Sequence, residues 1–117
     1  MAEHMMKLHP GPFAKIKDGS KTIELRLYDE KRRRISVGDT IQFVNTADET
    51  DIVCVRVRDL FVFNSFDELY RHLPLTECGY TEEDIHTASP RDMELYYAKE
   101  EQNRCGVVGI QIALLPS

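Results

Sequence analysis

The last strand-length run, Val107-Val108-Gly109-Ile110-Gln111-Ile112-Ala113-Leu114-Leu115, constrains the fold more than any other stretch. It is apolar on both faces, the composition of a central strand covered on each side. The alternating segments lie far upstream, before Asn64, and helix and loop separate them from it. The chain must therefore return across a helical excursion to place its final strand in the sheet. That requirement, together with about five to six short strands, selects an α+β fold: a small, mostly antiparallel curved sheet or β-barrel with helices at its side. An open α/β sandwich is the alternative, but no sustained strand–helix–strand rhythm favours it.

The segments read in order as follows. Met6–His9 alternates and is ended by Pro10, so it forms a first strand, preceded by a polar, Met-rich stretch expected to be a flexible extension over residues 1–5. Gly11-Pro12 opens a short helix in which Phe13 and Ile16 share a face, and Gly19 stops it. Ile23, Leu25 and Leu27 then alternate with Thr22, Glu24 and Arg26, the period of a strand with one apolar face. Asp29–Arg34 is too polar for core and reads as an exposed loop or single turn. Thr40–Val44 and Ile52–Phe63 read as strands of an antiparallel hairpin or meander. Ser65-Phe66-Asp67-Glu68 is a capping-box start for a helix that Pro74 stops. Thr81–Asp84 begins another short helix. Ser89-Pro90-Arg91-Asp92 is the strongest helix start, predicting a helix that ends near Asn103.

Composition narrows the function. A chain of 117 residues, 42% apolar, is one domain over 1–117. No run reaches the roughly eighteen apolar residues of a membrane helix, and no secretory pattern opens the chain. Cys54, Cys78 and Cys105 are widely spaced and odd in number, which indicates neither a zinc site nor a disulfide framework; a reducing cytoplasm is the expected compartment. No metal or other cofactor is implied, because His72 and His86 have no partner at ligand spacing. The net charge is −5, yet residues 1–40 carry nine Lys/Arg against six Asp/Glu. The basic half is the half that carries the charged strand.

That strand is the candidate site. Glu24 and Arg26 share its polar face, and Lys21 stands at its entrance, where it can escape strict alternation. A carboxylate between two cations stays ionised, and the surplus positive charge suits an anionic ligand. Arg26 can grip a phosphate bidentately, Lys21 can act on it as a point charge, and Glu24 can accept from a base or ribose hydroxyl. In a hydrolase, Glu24 would be the general base and Lys21 the stabiliser of developing negative charge. The plain alternative is a buried ion pair that only holds the sheet. Lys31–Arg34 and His9 are weaker candidates, the former for a phosphate backbone.

Gly19-x-Lys21-x-x-Glu24-x-Arg26, the Val37-Gly38-Asp39-Thr40-Ile41-Gln42-Phe43 turn and strand, and Tyr97 nine residues before Gly106-Val107-Val108-Gly109-Ile110 together resemble the ASCH (activating signal cointegrator homology) domain family, from about Leu8 to Leu114. The resemblance implies a PUA-like β-barrel with the motif residues on the floor of a cleft, Tyr97 among them, and an RNA or nucleotide ligand. It also implies an alternative, a hydrolase of modified nucleosides or RNA. In the amidohydrolase branch of the family, a lysine, a threonine three residues later and a distant glutamate form the catalytic set. Here Lys21 stands, but Glu24 occupies the threonine position and cannot serve as a hydroxyl nucleophile.

Overall fold

The computed structural model describes residues 1–116. Five strands form one sheet: β1 (Glu3–Leu8), β2 (Ile23–Leu27), β3 (Thr40–Asn45), β4 (Asp48–Phe63) and β5 (Val107–Leu114). Their order across the sheet is β1-β3-β4-β5-β2. β1 runs parallel to β3, and the other pairings are antiparallel. The sheet is mixed and strongly curled into a half-barrel with helices, the α+β class the patterning indicates. β1 and β2 are its two edges, so the barrel keeps a seam where the backbone ladder stops. β5 is inserted between β4 and β2, and Val107, Val108 and Ile110 are buried there as a central strand requires.

The sheet carries a core on each face. Phe13 and Ile16 of α1 (Pro10–Lys17) cover one face, packing with Met6, Phe43, Val55, Val108 and Ile110. On the other, Phe66 and Leu69 of α3 (Phe66–His72) cover Ile23, Leu25 and Leu27 of β2. Burying each such side chain stabilises the fold by roughly 1.5–3 kcal/mol. Residues directly opposite in an antiparallel pair share a face. Glu24 pairs with Ile110 and Arg26 with Val108, so the charged residues of β2 lie on the face of the first core.

Three segments differ from the sequence expectations. β1 begins at Glu3 rather than Met6, and Glu3–Met5, expected within an extension, pair with Thr40–Gln42. The reason is Asp39, which accepts from the Ala2 amide and from His4 and so ties the chain start to β3. Thr81–Asp84 is a turn, in which Asp84 and Thr81 cap one another, followed by a 3-10 turn over Ile85–Thr87.

The long helix after Ser89 is also broken. Ser89 starts the turn as expected, with Asp92 completing a capping box, but the turn is a 3-10 helix over Pro90–Leu95, and α4 (Lys99–Cys105) starts afresh. Tyr97 lies in the break, stacked on Phe66 at 6.1 Å, and its carbonyl accepts from the Gln102 side chain instead of continuing a helical ladder. Asp29–Arg34 contains one helical turn, α2 (Glu30–Arg33), capped by Asp29.

Candidate ligand-binding cleft

The approach to β2 explains how Lys21 meets Glu24. α1 is capped at Asp18, and Gly19 turns the chain at φ +86°, a conformation a side chain would strain. The segment is then pinned from both sides. The Lys21 amide donates to the Lys15 carbonyl at 2.9 Å, and the Thr22 amide donates to the Glu77 carbonyl at 2.9 Å. Lys21 therefore precedes the ladder of β2 and is released from its alternation. Its aliphatic arm lies along Gly79, where a Cβ would come within 3.3 Å of it.

At the centre, the two oxygens of Glu24 are divided between two cations. Lys21 Nζ is 2.8 Å from Oε1, and Arg26 Nε donates to Oε2 at 2.8 Å. Arg26 Nη2 also donates to the Lys7 carbonyl at 3.0 Å, spanning the seam from β2 to β1. The side chains of Glu24, Lys21 and Arg26 are only 3%, 10% and 13% exposed. Burial pushes the Glu24 carboxyl up, but the two cations outweigh it and hold the group below its usual range. Arg26 is opposed by burial in the same way and is held charged by Glu24, with Tyr97 adding to the effect.

These groups open into a cleft of about 510 Å³ beside the seam, and Lys21, Glu24, Arg26 and Tyr97 all line it. The four residues singled out from sequence are therefore neighbours. His9 lines the cleft as well. Lys31–Arg34 lies elsewhere: Arg34 pairs with Glu30, and Arg33 stands over the Tyr28 ring at 4.4 Å and donates to the Cys105 carbonyl. His72 is stacked on Phe63. No group of three or more metal-binding side chains occurs among the described residues.

A family model for the ASCH domain matches residues 6–116. The chain belongs to the ASCH domain family. Among solved structures, this ASCH domain is similar to hypothetical protein PH0355, at 31% identity over 98% of this chain and 100% of that one, with a TM-score of 0.78. It is also similar to Protein PF0455 from Pyrococcus furiosus, solved by solution NMR, at 34% identity over 98% and 99% of the two chains, with a TM-score of 0.68. ASCH from Zymomonas mobilis is 18% identical over 95% of this chain and 66% of that chain, with a TM-score of 0.63, a likeness of fold. No curated protein matches the sequence.

A second part of the lining of the ASCH cleft was not marked by any spacing in the sequence. It comes from the excursion between β4 and β5, which supplies Tyr70, Tyr80, Tyr96 and Asp92. Tyr80 donates to Asp92 Oδ2 at 2.7 Å, and the Tyr70 and Tyr80 hydroxyls are 2.7 Å apart. Burial pushes the Tyr70 phenol up to about 12 and the Tyr80 phenol higher still. Cys78, also on the lining, is pushed up to about 12 by burial and is a thiol at neutral pH. The one available signal was composition: four of the five tyrosines lie in the excursion, a bias that periodicity does not read.

Among the described residues, no helix is long and apolar enough to cross a membrane.

Proposed function

We propose that this ASCH domain binds a nucleotide, free or within a single strand of RNA, in the cleft at the barrel seam. The observation that carries the reading is the division of Glu24 between Lys21 and Arg26. One carboxylate cannot neutralise two cations, so the floor keeps a positive charge. An ammonium has three donors and a guanidinium five. Lys21 spends one on Glu24, and Arg26 spends one on Glu24 and one on Lys7. The donors left over suit a phosphate: Arg26 as a planar fork, Lys21 as a point charge. Glu24 holds both in place, and Tyr97 contributes its hydroxyl beside Arg26.

Binding is favoured over hydrolysis by the state of Glu24. A general base works best with a pKa near the operating pH and an oxygen free to take the proton. Glu24 is held below the ordinary carboxylate range, with a cation on each oxygen.

The test is a thermal-shift titration with nucleoside monophosphates and short oligoribonucleotides. Both raise the melting temperature of the native protein, while matched nucleosides without phosphate raise it less. Lys21→Met, which keeps the aliphatic arm against Gly79, removes most of the shift. A native protein whose melting temperature is unmoved by every nucleotide and oligoribonucleotide tried would end this reading.

A further inference from the structure

The chain of hydroxyls on the excursion wall has a direction, and the direction sets what the cleft can read. Tyr80 has one hydroxyl proton and gives it to Asp92 Oδ2. Its oxygen is then available only as an acceptor, so the 2.7 Å contact between the two phenols must be Tyr70 donating to Tyr80. Tyr70 has thereby spent its own proton. What it presents to the cleft is an oxygen with lone pairs and no donor. The upward shift of both phenols keeps the protons in place at neutral pH. Asp92 is fixed in turn, because Oδ2 also accepts from the Ser89 amide as part of the capping box. The cleft thus holds cationic donors at β2 and, at Tyr70, a hydroxyl oxygen left only as an acceptor.

We infer that the Tyr70–Tyr80–Asp92 chain selects nucleotides whose base carries an exocyclic amino group and disfavours those with an oxo group at the same position. The inference rests on the nucleotide reading given above and adds the base class to it. With the phosphate on Lys21 and Arg26, the base extends toward the excursion wall. Cytosine and adenine offer an N–H donor there, whereas uracil and hypoxanthine offer a carbonyl oxygen. An amino group completes the chain as Tyr70's missing donor. An oxo group sets lone pairs against lone pairs and leaves both unpartnered, the kind of mismatch that desolvated sites reject.

Calorimetric titration with two pairs of nucleotides, CMP against UMP and AMP against IMP, tests this; within each pair the exocyclic group changes from amino to oxo and the neighbouring ring nitrogen from acceptor to N–H donor. The native protein binds the amino member roughly three- to tenfold more tightly, the worth of one neutral hydrogen bond. Tyr70→Phe removes the acceptor and brings each pair to near equality, with the oxo members binding no more weakly than before. Tyr80→Phe leaves the Tyr70 proton without its acceptor, so the Tyr70 hydroxyl can donate as readily as accept and the preference collapses in that variant too. Equal binding of both members to the native protein, or a preference that survives both substitutions, overturns the inference while leaving the nucleotide reading intact. Failure of all four nucleotides to bind the native protein removes both.

Discussion

Two buried carboxylates, Glu24 and Asp39, sit at opposite ends of the argument from structure to function. Asp39, 5% exposed, accepts from the Ala2 amide at 3.1 Å, the Ser36 amide at 2.9 Å and His4 Nε2 at 2.8 Å. Two of these donors are backbone amides with a single proton each, and all three contacts fasten β1 and the turn before β3. Glu24, 3% exposed, has two multivalent cations for partners, both on the lining of a cleft. Asp39 is consumed by the fold, whereas Glu24 organises groups that retain capacity. Burial of an acid does not mark a site; the donors its partners have left do.

Substitution of the acids themselves should separate the two most widely. Glu24→Ala leaves Lys21 and Arg26 without their counter-charge at the seam, and unfolding in denaturant is expected to show a loss of about 3–5 kcal/mol. Asp39→Asn should act locally: amide exchange over Glu3–Leu8 quickens while exchange in β4 and β5 is little changed. A larger global loss from Asp39→Asn than from Glu24→Ala would reverse the comparison.

Ligand affinity should divide them next. Lys21→Met is expected to weaken binding of a nucleoside monophosphate roughly tenfold to a hundredfold, the worth of a charge-assisted hydrogen bond, and Asp39→Asn to leave it unchanged. Titration calorimetry reads both, and equal losses would return Glu24 and its cations to a structural role.

Acidity offers a finer test. Burial alone would raise the Glu24 carboxyl, but Lys21 and Arg26 bring its folded value below the ordinary 4.5. The unfolded chain then takes up this proton first on acidification, so the stabilisation is complete above about pH 4.5 and is lost as pH falls through the folded value. Asp39, lowered from 3.8 chiefly by the His4 hydrogen bond, contributes a second limb that begins lower, shared with Asp18, Asp48 and Asp84. Glu24→Gln should therefore flatten the upper limb and spare the lower one in melting temperatures taken across pH 2–6. A native-like upper limb in that variant would assign it to other groups.

The smallest effect is expected on the basic turn. Arg34 and Glu30 are 71% and 88% exposed, so Arg34→Ala should leave unfolding within experimental error of the native protein. Lys31→Ala with Arg34→Ala should also leave mononucleotide affinity unchanged, because neither residue lines the cleft.

The sheet was legible because its signals are local. Period-two alternation in Thr40–Val44 and Ile52–Phe63, the apolar run after Gly106 and the caps at Ser65 and Ser89 each rest on a few adjacent residues. So does the placing of Glu24 and Arg26 on one face, since they stand two residues apart on one strand. The break at Tyr97 was not legible, because the helix start at Ser89 is strong and the force that interrupts it is packing on Phe66, distant in sequence. The tyrosine cluster on the cleft lining was hidden for the same reason. Tyr70 lies in α3, Tyr80 in a loop and Asp92 in a 3-10 turn, and only the return of the chain to β5 brings them together.

By itself the sequence determined that strands precede and follow a helical excursion, and that one strand carries a carboxylate between two cations. Only the tertiary structure decided which way that strand faces. Its apolar side is taken by α3, so Glu24 and Arg26 turn toward the seam, where the backbone ladder ends and Arg26 crosses to Lys7. The physical reason is that alternation specifies two faces but not their partners. That choice depends on the apolar area available on each side, which exists only once α1 and the excursion have folded back onto the sheet.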